Sequence, residues 1–204
     1  MPTIDRATAG GHHRRWYGPA VGALLLAVTT VAVLSASEQA SDTRETRAAQ
    51  HGRQATRALV ESRRIMHGWL ARRDAVTGLL PRMGHFNGNA PDPNWAVADS
   101  AADLYPFMVM AARFTDPGVY HGAMLDILRQ EMLLTTRVGR LSDDLQPGGR
   151  GFVRATPDLD RIIFGSSEYM KDGLIPLTEI FGDTPWYHRM TGLATDIIRH
   201  APYE

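Results

Sequence analysis

Apolar residues recur at three- and four-residue steps in each long segment after Ala55, and no useful stretch alternates apolar with polar residues. A step of three or four residues places apolar side chains on one face of a helix, whereas alternation would place them on one face of a strand. The chain is therefore predicted to be all-α. The most regular stripe is the last one, formed by Trp186, Met190, Leu193, Ala194, Ile197 and Ile198.

The connections between these segments alternate in length. Turn-forming residues divide the pattern into helices that are expected to begin near residues 55, 99, 117, 159 and 184. Gly173 and Pro176 are expected to break or kink the fourth helix. Two connections are long, MGHFNGNAPDPNWAVADS and LSDDLQPGGRGFVRATPD. Because long loops with aromatic and amide residues are frequently functional, we predict helical hairpins with a site at the long-loop end.

The N-terminal region has the three parts of a secretory signal. Arg14 and Arg15 form a basic start, residues 16–34 carry no charge, and Ser35 and Ser37 fit a cleavage site. The uncharged run is also just long enough to span a bilayer, so an uncleaved membrane anchor through residues 16–34 is the alternative. Both interpretations predict an exported protein, because the arginines stay on the cytoplasmic side.

Three segments follow from this division. Residues 1–37 are predicted to be the signal peptide or membrane anchor. Residues 38–54 are polar and carry no apolar stripe, which indicates a linker or a solvated extension of a helix. Residues 55–204 are predicted to form the helical-hairpin domain.

Composition excludes several function classes. The chain has 204 residues, a formal net charge of zero and no cysteine. A neutral chain has no global field that recruits nucleic acid, and the absence of cysteine excludes disulfides, thiolate catalysis and cysteine-based zinc sites. The eight histidines show no HExxH or HxxxH spacing. We therefore expect neither a metal site nor a cofactor.

Three segments resemble bacterial six-hairpin glycosidase-like proteins, the (α/α)6 toroids. They are WLARRDAVTGLLPR, NWAVADSAADLYPFMVMAA and SSEYMKDGLIPLTEIFG, and the resemblance covers about residues 60 to 200. RDAVTGLLPR resembles the loop that closes the first helix of such a barrel. DSAADLYPF and SEYMKDGL resemble the starts of inner helices that face the central cavity. The resemblance implies a partial toroid and an exported carbohydrate-active protein, glycoside hydrolase-like, with a glycan or oligosaccharide as its partner.

One departure from that pattern is large. A complete toroid has twelve helices in six hairpins, whereas this chain supplies five or six helices. We expect a truncated gene, a fragment, or a half-barrel that pairs with a missing second half or with itself. A half-toroid would expose an apolar open edge larger than the patches that monomers usually tolerate.

Two carboxylates stand where the second helix begins. Asp99 and Asp103 are four residues apart and so share one helical face, and Asp103 directly precedes an apolar run, where burial is expected. They either cap the helix or line the mouth of a site. Trp95 and Tyr105 lie nearby and are expected to stack on sugar rings.

A second cluster lies in SSEYMKDG. Glu168, Lys171 and Asp172 share one helical face, as a surface ion pair or as a polar triad at the cavity rim, with Tyr169 as a further stacking residue. Glycoside hydrolysis needs two carboxyl groups across the scissile bond. We predict that Asp103 and Glu168 are the catalytic pair, and that Asp99, Lys171 and Asp172 bind substrate.

The first long loop supplies further candidate contacts, namely Arg82, His85 and Asn87. Lyases on similar helical barrels use Tyr and His, so a lyase that uses Tyr105, Tyr169 and His85 is also open. A third possibility is a non-catalytic, membrane-tethered helical module that binds a glycan or a protein, and a fourth is an inactive fragment.

The loop pattern makes a geometric prediction. Helices at about 99–114 and 159–181 both follow long loops, so they are expected to pack side by side and parallel. Asp103 and Glu168 are then expected within about 15 Å of each other on one concave surface.

Overall fold

The computed structural model describes residues 19–82 and 93–202, with side chains from residue 43 onward. The predicted contacts His85 and Asn87 lie outside the described residues, as do Arg14 and Arg15 of the predicted leader. The chain divides into two compact units, Met1–Gln54 and Ala55–Glu204.

In the first unit the structure describes residues 19–54, which are helical. Helix α1, Pro19–Leu70, begins in this unit, and it includes all of residues 38–54. The side chains of residues 43–54 are all exposed. Within the part of the chain that the structure describes, no helix is both long and apolar enough to cross a bilayer.

The second unit is mostly helical, as the sequence predicts. After the end of α1 its described residues contain four long helices, α2 at 97–115, α3 at 117–134, α4 at 159–181 and α5 at 185–200, and a short 3-10 helix, Pro147–Gly149. A short turn joins α2 to α3, where the Asp116 carboxylate accepts a hydrogen bond from the Val119 N–H at 3.3 Å. A second short turn joins α4 to α5 through Gly182, whose φ is 70°. Each turn closes a helical hairpin.

The two hairpins meet along α2 and α4. A Cβ atom on Gly165 would lie 2.2 Å from Val97 Cγ1, and one on Gly173 would lie 2.9 Å from Pro106 Cγ. From the first contact to the second, the residue number rises along α2, from Val97 to Pro106, and also along α4, from Gly165 to Gly173. Helices α2 and α4 are therefore packed closely and parallel, in agreement with the loop pattern. Glycine at these positions allows the approach, because any side chain would fill the gap between the helices.

Both of these helices change type before a proline. Helix α2 begins as the π-helix Val97–Leu104 and continues as the α-helix Tyr105–Thr115, whose second residue is Pro106. Helix α4 contains the π-helix Tyr169–Leu174, followed by Ile175–Phe181 with Pro176 in second place. Proline has no N–H to donate and its ring clashes with the carbonyl four residues earlier. A wider π-turn relieves that clash, so the expected break at Gly173 and Pro176 is a change of helix type within a continuous helix.

A small β-hairpin accompanies the helices, and the mostly helical fold is consistent with the all-α prediction. Helix α3 ends at Leu134, and strands β1 (Thr136–Val138) and β2 (Leu141–Ser142) pair antiparallel through a turn at Gly139, whose φ is 54°. The β-branched residues after Leu134 favour an extended chain over a further helical turn. The second long loop thus carries regular structure.

The core of the second unit lies between the helices. Its fully buried large side chains include Met66 of α1, Met108 of α2, Ile162 and Leu177 of α4, and Trp186 of α5. One continuous cluster of buried side chains therefore links α1, α2, α4 and α5.

Candidate functional site

A shallow recess lies beside the start of α2, where the predicted carboxylates stand. It encloses about 180 Å³, and most of its exposed lining is apolar. Its lining residues among those described are Trp69, Pro81, Arg82, Asp99, Ser100, Asp103 and Leu104. We call it the carboxylate recess. It contains three residues that the sequence already indicated as candidates: Arg82, Asp99 and Asp103.

Asp99 does not cap helix α2. The N-cap is Ala96, and its N–H donates to Ser100 Oγ at 3.2 Å. The first N–H of the helix, on Val97, donates to the carboxylate of Asp144, which comes from the second long loop. Asp99 is instead held by Arg82, whose Nε lies 2.9 Å from Asp99 Oδ2. This ion pair fixes one wall of the carboxylate recess.

Asp103 is exposed, and the expected burial is wrong. The π-turns of Val97–Leu104 carry small residues inward, and Ser100, Ala101 and Ala102 occupy the buried face. Among the described residues, no side chain or N–H forms a hydrogen bond or ion pair with the Asp103 carboxylate. Asp103 therefore places an exposed carboxylate at the edge of an apolar recess.

Trp69 was missed as a site residue, because its place in the apolar stripe of α1 predicts a core position. The structure places it at the edge of the core, half-buried, where it packs against core residues and also lines the recess. Its helical spacing alone could not show this, since the exposure comes from the chain turning away after Leu70. An indole beside carboxylates is suited to binding a ring that is apolar on one face and polar at its edge.

The three aromatic residues predicted to stack on substrate are all buried. Trp95 is 5% exposed, Tyr105 3% and Tyr169 0%. The backbone N–H of Trp95 donates to Leu145 O, and the side-chain hydroxyl of Tyr105 donates to Met124 O at 2.7 Å. Burial raises the pKa of Tyr105 and that of Tyr169 well above the usual value. Their burial supports a packing role and leaves no face for a sugar ring.

The second predicted cluster is a surface network. Lys171 Nζ lies 2.8 Å from Glu168 Oε1 and 3.3 Å from Asp172 Oδ2, and the Lys171 side chain is 59% exposed. The hydrogen bond from Lys171 to Glu168 raises the pKa of the lysine, with a further contribution from Asp172. The cluster is therefore a surface ion-pair network and not a buried triad.

The two predicted catalytic carboxylates do not line the same recess. Glu168 is not among the described residues that line the carboxylate recess. The structure thus gathers Arg82, Asp99 and Asp103, and leaves Glu168, Lys171 and Asp172 on the neighbouring helix.

A buried ion pair was also missed. Two nitrogens of Arg189 on α5 donate to the carboxylate of Glu131 on α3, and Nε lies 3.1 Å from Glu131 Oε2. Both side chains are almost fully buried. Ser142 Oγ of β2 donates to Glu131 Oε1 at 2.6 Å, and Arg189 Nη1 donates to Arg140 O at 2.7 Å. Both charged residues stand at helical spacing within apolar stripes, and that signal was available in the sequence. The network joins both hairpins to the β-hairpin.

No cluster in the described residues has the composition of a metal site, since none brings three or more His, Asp or Glu side chains together suitably. Comparisons of the chain with protein-family models, with curated proteins and with solved structures return no match.

Proposed function

We propose that this protein is an exported, carbohydrate-active protein of the glycoside hydrolase type, and that a glycan binds at the carboxylate recess. The observation that carries the proposal is the exposed Asp103 carboxylate, which has no partner among the described residues and lies beside the half-buried indole of Trp69. The indole face suits the apolar face of a pyranose ring, and the carboxylate accepts hydrogen bonds from its hydroxyl groups.

The fold is compatible with this proposal. Two helical hairpins meet through the parallel helices α2 and α4, which is the local arrangement of a toroid of helical hairpins. We propose that they form part of such a toroid, completed by a missing second half or by self-association. Export rests on the leader-like residues 14–37, with residues 16–34 as the membrane anchor if the leader is not cleaved.

Asp103 and Glu168 remain the proposed catalytic pair. Hydrolysis with two carboxyl groups needs them about 5–9.5 Å apart, so a glycan would have to extend from the recess across α2 toward α4. Asp99 is the other carboxylate within reach of a ligand in the recess, but Arg82 already holds it. Asp103 therefore has the stronger claim to a catalytic role.

Turnover of a panel of aryl glycosides and polysaccharides by the full-length protein tests this proposal. Once a hydrolysed substrate is found, Asp103→Asn and Glu168→Gln should each lower kcat by about 100-fold or more. Asp183→Asn is the matched control, because the Asp183 side chain is 78% exposed and is not among the described residues that line the carboxylate recess. Unchanged kcat in the Asp103 variant would refute the catalytic assignment.

The second candidate is a membrane-tethered helical module that binds a glycan without hydrolysing it. The separation of Glu168 from the carboxylate recess favours this candidate, as does its ion pair with Lys171. It predicts glycan binding with no turnover, weakened by Trp69→Phe and by Asp103→Asn. A folded protein whose melting temperature no glycan in the panel changes would argue against both candidates.

A further inference from the structure

A second recess lies between the loop after α1 and helix α3, and the proposed function does not use it. It encloses about 320 Å³ and its exposed lining is mostly polar. Its lining residues are Arg73, Ala75, Val76, Thr77, Gly78, Asp126, Arg129 and Gln130. None of them lines the carboxylate recess. We call it the arginine recess.

Arg73 is fixed in place with most of its donors free. Its Nε donates to Gly78 O at 2.6 Å, and the side chain is half-buried. Within the described part of the chain that is the one hydrogen bond of its guanidinium group. Neither terminal nitrogen has a hydrogen-bond acceptor among the described residues, and Arg73 lines the recess. These donors can bind a ligand that offers oxygen acceptors.

The loop is shaped around this side chain. Asp74 Oδ1 accepts hydrogen bonds from the N–H groups of Val76 and Thr77 at 3.0 and 2.8 Å, and its Oδ2 accepts one from Gly148 N at 2.8 Å. Gly78 has φ +70°, and a Cβ there would stand 2.8 Å from Arg73 Nη2. Glycine thus provides both the turn and the space that the guanidinium occupies.

The opposite wall adds a second guanidinium. Arg129 of α3 is bound to Asp126 through Nη1, and both line the recess together with the Gln130 amide. The charged lining groups are thus two guanidinium groups against one carboxylate, so the recess carries excess positive charge. Guanidinium forks match the paired oxygens of carboxylates, sulfates and phosphates.

We propose that the arginine recess is a binding site for an oxyanion carried by a small molecule, with Arg73 as its main contact. The ligand would offer two or more oxygens that accept hydrogen bonds from the Arg73 guanidinium group. Arg129 and Gln130 line the opposite side of the recess, on helix α3. A planar carboxylate and a tetrahedral sulfate both offer those oxygens.

Titration of the full-length protein with sodium sulfate and, separately, with sodium acetate tests the site, at an ionic strength held constant with NaCl. Binding is followed by the NMR resonances of the arginine Nε–H groups, with an expected Kd on the order of 1 mM for the bare ion. Saturation by sulfate alone assigns a tetrahedral ligand group, and saturation by acetate alone assigns a carboxylate. No saturable shift of the Arg73 resonance with either ion overturns the proposal.

Two variants with the same loss of charge separate the site from general attraction. Arg73→Gln should weaken binding about tenfold or more, since it removes charge-assisted hydrogen bonds. Arg72→Gln should change the Kd by less than about twofold, because Arg72 is exposed and bonded to Gly68 O, outside the recess. Equal weakening by both variants would refute the site.

Gly78→Ala provides a test that leaves every charge in place. The added methyl would displace the Arg73 guanidinium, so binding should weaken although net charge is unchanged. Melting curves establish that each variant is folded. Asp103→Asn should leave oxyanion binding unaffected, so failure here is distinguishable from failure of the proposed glycan site.

Discussion

At the scale of single residues, the molecule depends on a few charges placed inside its core. Glu131 and Arg189 are each 2% exposed, and Ser142 between them is fully buried. Their attraction is strong at low dielectric, but so is the cost of removing either partner from water. Such a pair does more to specify how α3, α5 and the β-hairpin fit together than to raise stability overall.

Loss of one partner should therefore be severe. Arg189→Met leaves the Glu131 carboxylate buried and unpaired, so the free energy of unfolding should fall by about 3–5 kcal/mol. Arg199→Met on the same helix is the control: its side chain is 62% exposed, and its pair with Asp196 should contribute less than about 1 kcal/mol. Urea unfolding monitored by circular dichroism measures both.

A double substitution extends that test. Glu131→Leu combined with Arg189→Met removes both charges and should recover part of the loss. If Arg189→Met and Arg199→Met were equally mild, the pair would not be buried as described.

At the scale of elements, the sequence predicts the helices well and their internal geometry poorly. Pro157 and Asp158 mark the start of α4, and Asp158 does cap it by accepting from the Arg161 N–H at 3.2 Å. Local signals of this kind depend only on neighbouring residues. The cap of α2 comes instead from Asp144, a residue 47 positions away, which no local pattern indicates.

The candidate site shows the same division. The pattern of carboxylates and loop residues led to Arg82, Asp99 and Asp103, which do lie together. It also suggested Trp95, Tyr105 and Tyr169 as binding surfaces, yet these are buried. Helical spacing assigns residues to a face, but which face is covered depends on the partner helix and on the width of a π-turn.

The close packing of α2 against α4 gives an element-scale prediction. Gly165→Ala puts a methyl group against Val97, so it should destabilise the protein by about 1–3 kcal/mol. Gly122→Ala in α3 is the matched control, since nothing lies within 4 Å of its added methyl, and it should be neutral or stabilising by up to about 1 kcal/mol. Thermal unfolding compares the two.

A second substitution should relieve the clash between α2 and α4. Val97→Ala added to Gly165→Ala should recover part of the lost stability, because it removes the clashing methyl groups. A Gly165→Ala variant as stable as Gly122→Ala would mean that the helices are not this close.

At the scale of the whole molecule, folding lowers the pKa of carboxylates that come from distant parts of the second unit. Hydrogen bonds from Arg140 lower the pKa of Asp196 to about 2. Burial by itself raises the pKa of Asp74. Hydrogen bonds from Thr77 and Gly148 outweigh that effect, so the pKa is lowered overall. Asp196 joins α5 to the turn of the β-hairpin, and Asp74 joins the loop after α1 to the second long loop, so acid should loosen both connections.

The direction in which stability changes with pH follows from proton binding. Between the ordinary aspartate pKa and about pH 2, the unfolded chain binds protons that folded Asp196 does not. Stability should therefore be full above about pH 5 and fall as the pH drops, with Asp196 contributing up to roughly 2 kcal/mol of the loss. Chemical unfolding at pH 7, 4 and 2.5 measures it. Asp196→Asn should be less stable than wild type at pH 7, and the difference should be clearly smaller at pH 2.5, because the native carboxylate has lost much of its advantage as the pH approaches 2. A constant gap between the two proteins at all three pH values would show that Asp196 stabilises the fold by packing and not by its charge.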